Sequence, residues 1–323
     1  MKFCYSLIAV AVLQSVALAA DPGLLSLVMP DAKILSGIRA DQMRDSLFGQ
    51  YLLSHLPASG ANLSNFITQT GFDPGKDVTE VILASNGDSK TAQSHGLLLA
   101  RGVFNVPKMS AAARANGATT TTFNGIDILT FAARGTPAVA HGMAFLDGST
   151  AVIGDVASVK SAIEQRKSNA PPSSSLLDKV AQVSANNSFW FVTLTPIAQF
   201  AAALPDSNLR SALNGNVLAT INQLSGGIRF GDTVKLSLEA VARTDKDAQA
   251  LADVLKFAAS LVQLNGQNNA ASAEVGALLN TLESKTSGNV TTLSLALTEQ
   301  QLEQLLGALG QQNHPGSKKI NRG

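Results

Sequence analysis

Short antiparallel strands joined by tight turns are the strongest constraint in this sequence. Phe123-Asn124-Gly125-Ile126 and Leu146-Asp147-Gly148-Ser149 set Asn-Gly and Asp-Gly between flanking segments of strand character. These dipeptides tolerate the positive φ angles of a type I′ hairpin turn. Phe230-Gly231-Asp232-Thr233 suits a type II′ turn, with Gly first, and Gly288-Asn289 marks another turn. After Gly231, the residues Val234, Leu236, Leu238 and Ala240 alternate with Lys235, Ser237 and Glu239. That is the period-2 pattern of an antiparallel strand with one buried face. Leu293, Leu295 and Leu297 repeat the device against Thr292 and Ser294. A polar loop from Ser85 to Gly96 joins Val81-Ile82-Leu83 to Leu97-Leu98-Leu99.

Helices follow the hairpins. Thr298-Glu299-Gln300-Gln301 is a capping box opening onto Leu302, Leu305, Leu306 and Leu309, in which the Thr hydroxyl and the Gln side chain satisfy each other's backbone N–H. Thr244 and Asp247 open a helix striped by Ala248, Leu251, Ala252 and Leu255, at helical i, i+3, i+4, i+7 spacing. Val106-Pro107 opens a short Ala-rich helix ending before Gly117, and Asp155 caps a helix from Val156 to about Gln165.

Lys167-Ser168-Asn169-Ala170-Pro171-Pro172-Ser173-Ser174-Ser175 offers two prolines and little to bury, so it is expected to be a linker. The halves on either side share an order: a strand and helix, a hairpin and helix, then a second hairpin and helix. The first half has an additional hairpin at Asn124-Gly125. The expectation is an α+β fold of two similar modules, residues 20–166 and 176–309, each an antiparallel sheet built from β-hairpins with helices packed on one face. Residues 310–323 are polar, aperiodic and expected to be a disordered tail.

Residues 1–19 have the form of an export signal. Lys2 precedes an apolar run from Tyr5 to Leu13, and Ala17-Leu18-Ala19 supplies small residues at the two positions a signal peptidase recognises. Cleavage is placed after Ala19, with Ala20 as the alternative. The apolar run falls short of the roughly 20 residues that span a bilayer, and Gln14 and Ser15 interrupt it. Cys4, the single cysteine, leaves with the leader, so the mature chain has no thiol nucleophile and no disulfide. Loss of Lys2 also leaves 23 basic against 23 acidic residues, no charge with which to bind nucleic acid. No later segment has 18 consecutive apolar residues, and no stable membrane span is expected after leader removal. The protein is therefore expected to be exported, periplasmic or extracellular.

Catalytic motifs are missing. The sequence contains no G-x-S-x-G, no S-x-x-K, no phosphate-cradling glycine loop and no H-E-x-x-H. The four histidines, at 55, 95, 141 and 314, are at least 40 residues apart. His55 shares a helical stripe with Phe48, Tyr51 and Leu52, where it serves either as a base in an apolar pocket or as a half-buried helix-end residue. His95 and His141 each precede an expected strand, in loops. Asp73, in Gly71-Phe72-Asp73-Pro74-Gly75, has turn chemistry, with a cation site as the rival. Arg101 sits in Leu97-Leu98-Leu99-Ala100-Arg101-Gly102, otherwise a buried strand. Pointing inward it requires a carboxylate or a ligand anion; on a sheet edge it is ordinary surface. His55, Asp73 and Arg101 are thus the binding candidates. No catalytic, metal or cofactor residues are assigned, and no cofactor is expected.

Met29-Pro30-Asp31-Ala32, Phe48-Gly49-Gln50-Tyr51, Thr70-Gly71-Phe72-Asp73-Pro74, Leu99-Ala100-Arg101-Gly102 and Gly154-Asp155 before Ser158-Val159-Lys160 follow one another behind the leader. In this the chain resembles a group of exported bacterial proteins of unknown function. The resemblance implies export and a bacterial source, and it carries no activity. Together these features lead to the expectation of a non-enzymatic exported protein that binds a partner protein or an apolar ligand, or serves the cell envelope. The alternative is an extracytoplasmic hydrolase with a site assembled from distant residues.

Overall fold

At the Asn124-Gly125 turn, Asn124 has φ 50° and Gly125 φ 82°, the two consecutive left-handed residues that a type I′ hairpin demands. This turn belongs to a computed structural model that describes residues 19–46, 49–50, 67–88, 95–134, 139–168, 174–195, 218–231, 233–265, 281–298 and 300–301. His55, most of the leader, Pro171-Pro172 and the tail beyond 301 lie outside the described residues.

The strands are β1 (Ile34–Arg39), β2 (Val78–Ser85), β3 (Gly96–Gly102), β4 (Thr119–Phe123), β5 (Ile126–Arg134), β6 (Val139–Asp147), β7 (Thr150–Asp155), β8 (Phe189–Thr193), β9 (Ile221–Arg229), β10 (Thr233–Ala242), β11 (Glu283–Ser287) and β12 (Val290–Thr298). The helices are α1 (Pro22–Leu25), α2 (Ala40–Asp45), α3 (Pro74–Asp77), α4 (Val106–Ala115), α5 (Val156–Ser168), α6 (Ser174–Ser184) and α7 (Asp245–Asn265). The fold is α+β, and the strands form a single antiparallel sheet in the order β11-β12-β10-β9-β8-β1-β2-β3-β7-β6-β5-β4. The halves do not keep separate sheets: β1 pairs with β8, Ile34 opposite Thr193 and Gly37 opposite Trp190. Outward from this seam one half runs β1-β2-β3-β7-β6 and the other β8-β9-β10-β12-β11, with β5 and β4 added at the far edge of the first.

Helices lie on both faces, because several strands carry apolar side chains on both faces. On one face, here the core face, Leu35, Ile82, Leu97, Leu99, Val152 and Trp190 are buried. They pack beneath Val159 and Ile163 of α5, Leu176 and Val180 of α6, and Leu24, Leu27 and Met29 of the N-terminal segment. The opposite face is covered at its two ends. Met109 and Ala113 of α4 pack on Ala100, Phe145 and Ala151, and Leu251 of α7 packs on Ala240 and Ile221.

The local signals for helix starts are realised in full. Thr298 Oγ1 accepts from the Gln301 N–H while Gln301 Oε1 accepts from the Thr298 N–H. Asp155 accepts from the Ser158 N–H, and Thr244 from the Asp247 N–H. Gly117, following α4, has φ +90°. The Asp147-Gly148 turn differs from expectation, since Gly148 is not left-handed. Asp147 instead accepts hydrogen bonds from both the N–H and the hydroxyl of Ser149, and this side-chain turn replaces the type I′ geometry. Helix α6 begins inside the expected linker. Leu176 and Val180, one turn apart, are both fully buried, and that spacing defines a helix face.

Candidate functional site

Two places on the sheet gather the chemically distinctive side chains. The first is a charged row on the core face. Arg39 lies opposite Glu80 in the β1·β2 register, Glu80 opposite Arg101 in β2·β3, and Arg101 opposite Thr150 in β3·β7. Residues directly opposite one another share a face, so three strands bring cation, anion and cation side by side, with Thr150 next to them on a fourth. Asp21 enters from the N-terminal segment. Its carboxylate accepts from Arg101 Nε at 2.8 Å and Nη2 at 3.0 Å, a bidentate pairing that fits the guanidinium fork. It also accepts from the N–H groups of Gly23 and Leu24, capping α1.

Burial alone would raise the Asp21 carboxyl, but Arg101 and the two N–H groups hold it below the usual carboxylate range. Glu80 is different. Burial pushes its carboxyl up to about 7, and the carboxylates of Asp21 and Asp41 add to that. The Asp21 N–H and Arg39 oppose the shift without cancelling it. Arg101 therefore points inward from an interior strand, and its anion is a carboxylate of its own chain.

The second place is a hollow of about 660 Å³ on the opposite face, near the seam. Its floor is a cross-strand apolar row: Leu83 on β2 faces Leu98 on β3, which faces Ile153 on β7. Leu83 is 51% exposed and Ile153 39%. Ser85, His95, His141 and Asp155 form a polar end to the hollow, where His141 and Asp155 are direct cross-strand neighbours. Pockets of this volume, apolar with a few polar groups at one end, are the usual form of small-molecule sites.

The histidines are placed as follows. His95 immediately precedes β3, and its ring is held at both nitrogens. The Asn86 amide lies 3.1 Å from Nδ1, and Nε2 lies 2.9 Å from the Asp31 carboxylate. Neither nitrogen is therefore left to take a proton from a nucleophile, as a hydrolytic triad requires. His141 lies within β6, not in a loop before it, and its ring is exposed. Asp73 caps α3 through the Gly75 N–H and pairs with Lys76 at 3.2 Å. This is the turn role, and Asp73 does not line the hollow. Among the described residues, no group of three or more His, Cys, Asp or Glu is placed to hold a metal ion, and no helix is long and apolar enough to cross a membrane.

Sequence reasoning did not single out Glu80, Leu83, Ile153 or Ser184. For Glu80 a signal existed: a charge within the otherwise apolar run Val78-Thr79-Glu80-Val81-Ile82-Leu83.

No family model matches this chain, and no curated protein does. Among solved structures, crystal forms I and III of TP0453 are similar to it. The TM-scores are 0.47 and 0.49, at 10% identity, over 88% of this chain and 97% of that one.

Proposed function

We propose that this is an exported, non-catalytic binding protein, periplasmic or extracellular, that holds an apolar ligand in the hollow on the open face of the sheet. The observation that carries this reading is the row Leu83–Leu98–Ile153, whose two outer members stay well exposed in the middle of a sheet. Large aliphatic side chains exposed in a contiguous concave patch mark a binding surface more often than an incidental one. The polar end formed by Ser85, His141 and Asp155 suits a ligand with an apolar body and a hydrogen-bonding head.

Titration of the mature chain with a fluorescent alkyl probe tests the reading. Saturable one-to-one binding is expected, weakened at least about ten-fold by Ile153→Asp. Binding that is absent, or unchanged by that substitution, rejects the hollow as the site.

A further inference from the structure

Solvent exposure changes sharply across one peptide bond near the start of the described chain. Ala19 is exposed, whereas Ala20 is 1% exposed. The Ala20 N–H donates to Ser184 Oγ at 3.0 Å, a buried bond to the end of α6. The next N–H, that of Asp21, lies 3.2 Å from each carboxylate oxygen of Glu80. Ser184 leads into β8 and Glu80 belongs to β2, so two consecutive backbone nitrogens tie the N-terminal segment to both halves of the sheet. The Ala19–Ala20 bond is also the one that the spacing of Ala17 and Ala19 offers to a signal peptidase.

We propose that the α-ammonium released at Ala20 on leader removal is a built-in structural ligand of the mature fold, seated between Ser184 and Glu80. The inference rests on the leader half of the functional proposal and is independent of what the hollow binds. The covalent step is hydrolysis. One water adds across the Ala19–Ala20 amide, leaving a carboxylate on Ala19, which departs with the leader, and an ammonium on Ala20. One N–H donor becomes three, and a positive charge appears. Adjacent backbone nitrogens are at most about 3.8 Å apart, which places that charge within about 7 Å of the Glu80 carboxylate.

Glu80 is the group with a use for it. The charged groups around it are Asp21 from the N-terminal segment, Arg39 and Asp41 from β1 and α2, and Arg101 from β3. Asp21 already engages Arg101, and in the uncut chain burial and the Asp21 and Asp41 carboxylates outweigh Arg39, so Glu80 gains from a further positive charge. The ammonium supplies it. In a chain that begins one residue earlier, the charge moves to exposed Ala19 and the effect is lost.

The experiment compares the chain beginning at Ala20 with one beginning at Ala19, each released from a removable N-terminal tag. Thermal midpoint and the rate of α-amine acylation, read by mass, are measured at pH 7.5. The chain beginning at Ala20 is expected to melt about 3 °C higher or more, with its amine acylated on the order of ten-fold more slowly. Glu80→Gln is expected to erase the difference in midpoint. Equal midpoints with equally reactive amines overturn the proposal, and because this arm uses no substitution, a misfolded variant cannot mask the result. The intact mass of the protein as exported by a host cell tests the leader separately. A start at Ala20 is expected, and any other start overturns the proposal at its first step while leaving binding in the hollow untouched.

Discussion

Ile82 and Leu83 are neighbours on β2 and similar in size, yet one is fully buried and the other half exposed. Ile82 looks toward α5, α6 and the N-terminal segment, while Leu83 looks into the hollow. The same contrast recurs on β7, where Val152 is fully buried and Ile153 is 39% exposed. Among the described residues, one face is finished by the chain's own elements, and the other is finished by them only at its ends, under α4 and α7. The lesson is that an aliphatic residue on a strand stabilises the fold only where something covers it. Where nothing does, it is available to a ligand.

The largest effect is expected at the seam. A Cβ added at Gly37 would come within 2.4 Å of the Trp190 ring, and Trp190 is wholly buried at the β1·β8 pairing that joins the halves. Gly37→Val is expected to cost more than about 3 kcal/mol, seen as loss of soluble protein or of the cooperative urea transition. Ile82→Ala comes next, at about 3 kcal/mol by the same measurement. A loss well under about 1 kcal/mol there would mean that the core face is not the one holding the fold together.

Glu80 gives a smaller, pH-dependent effect. Its carboxyl stands at about 7 in the folded uncut chain, above its ordinary 4.5. The folded state therefore binds more protons between those values, and stability falls as pH rises from 4.5 to 7. Below 4.5 the penalty is absent, and above 7 it is constant. Urea midpoints of a chain retaining Ala19 should show this slope, and Glu80→Gln should flatten it. A slope of opposite sign would show that the charged row already stabilises the ionised carboxylate. The smallest effect on stability belongs to Leu83→Ser, within about 0.5 kcal/mol, although it should abolish binding of the alkyl probe. Ile82→Ala should do the reverse, weakening the fold while leaving binding in place at temperatures where the protein stays folded.

What the sequence discloses and what it hides divide along the range of the interactions. The Thr298–Gln301 and Thr244–Asp247 caps, the Asn124-Gly125 turn and the α4 stop at Gly117 depend on residues within a few positions of each other, and all were legible. The alternation in β10 and β12 was legible for the same reason. The joining of β1 to β8 was not, since Ile34 and Thr193 meet through a register that many apolar strands could satisfy. Arg101 announced its need for an anion, but the partner, Asp21, stands 80 positions away. The hollow was hidden by its own composition. Leu97-Leu98-Leu99 reads as a buried strand, and only tertiary structure shows that Leu83 and Ile153 beside it stay exposed. Gly148 failed as a turn marker because the Asp147 side chain supplied an alternative hydrogen bond.

The most direct measurement is native mass spectrometry of the protein purified from its own host, beside Leu83→Asp prepared in the same way. A stoichiometric non-protein adduct on the wild-type chain, missing from Leu83→Asp, is the expected result. A bare wild-type chain, or the same adduct on both, would contradict the assignment of the open face as a ligand site.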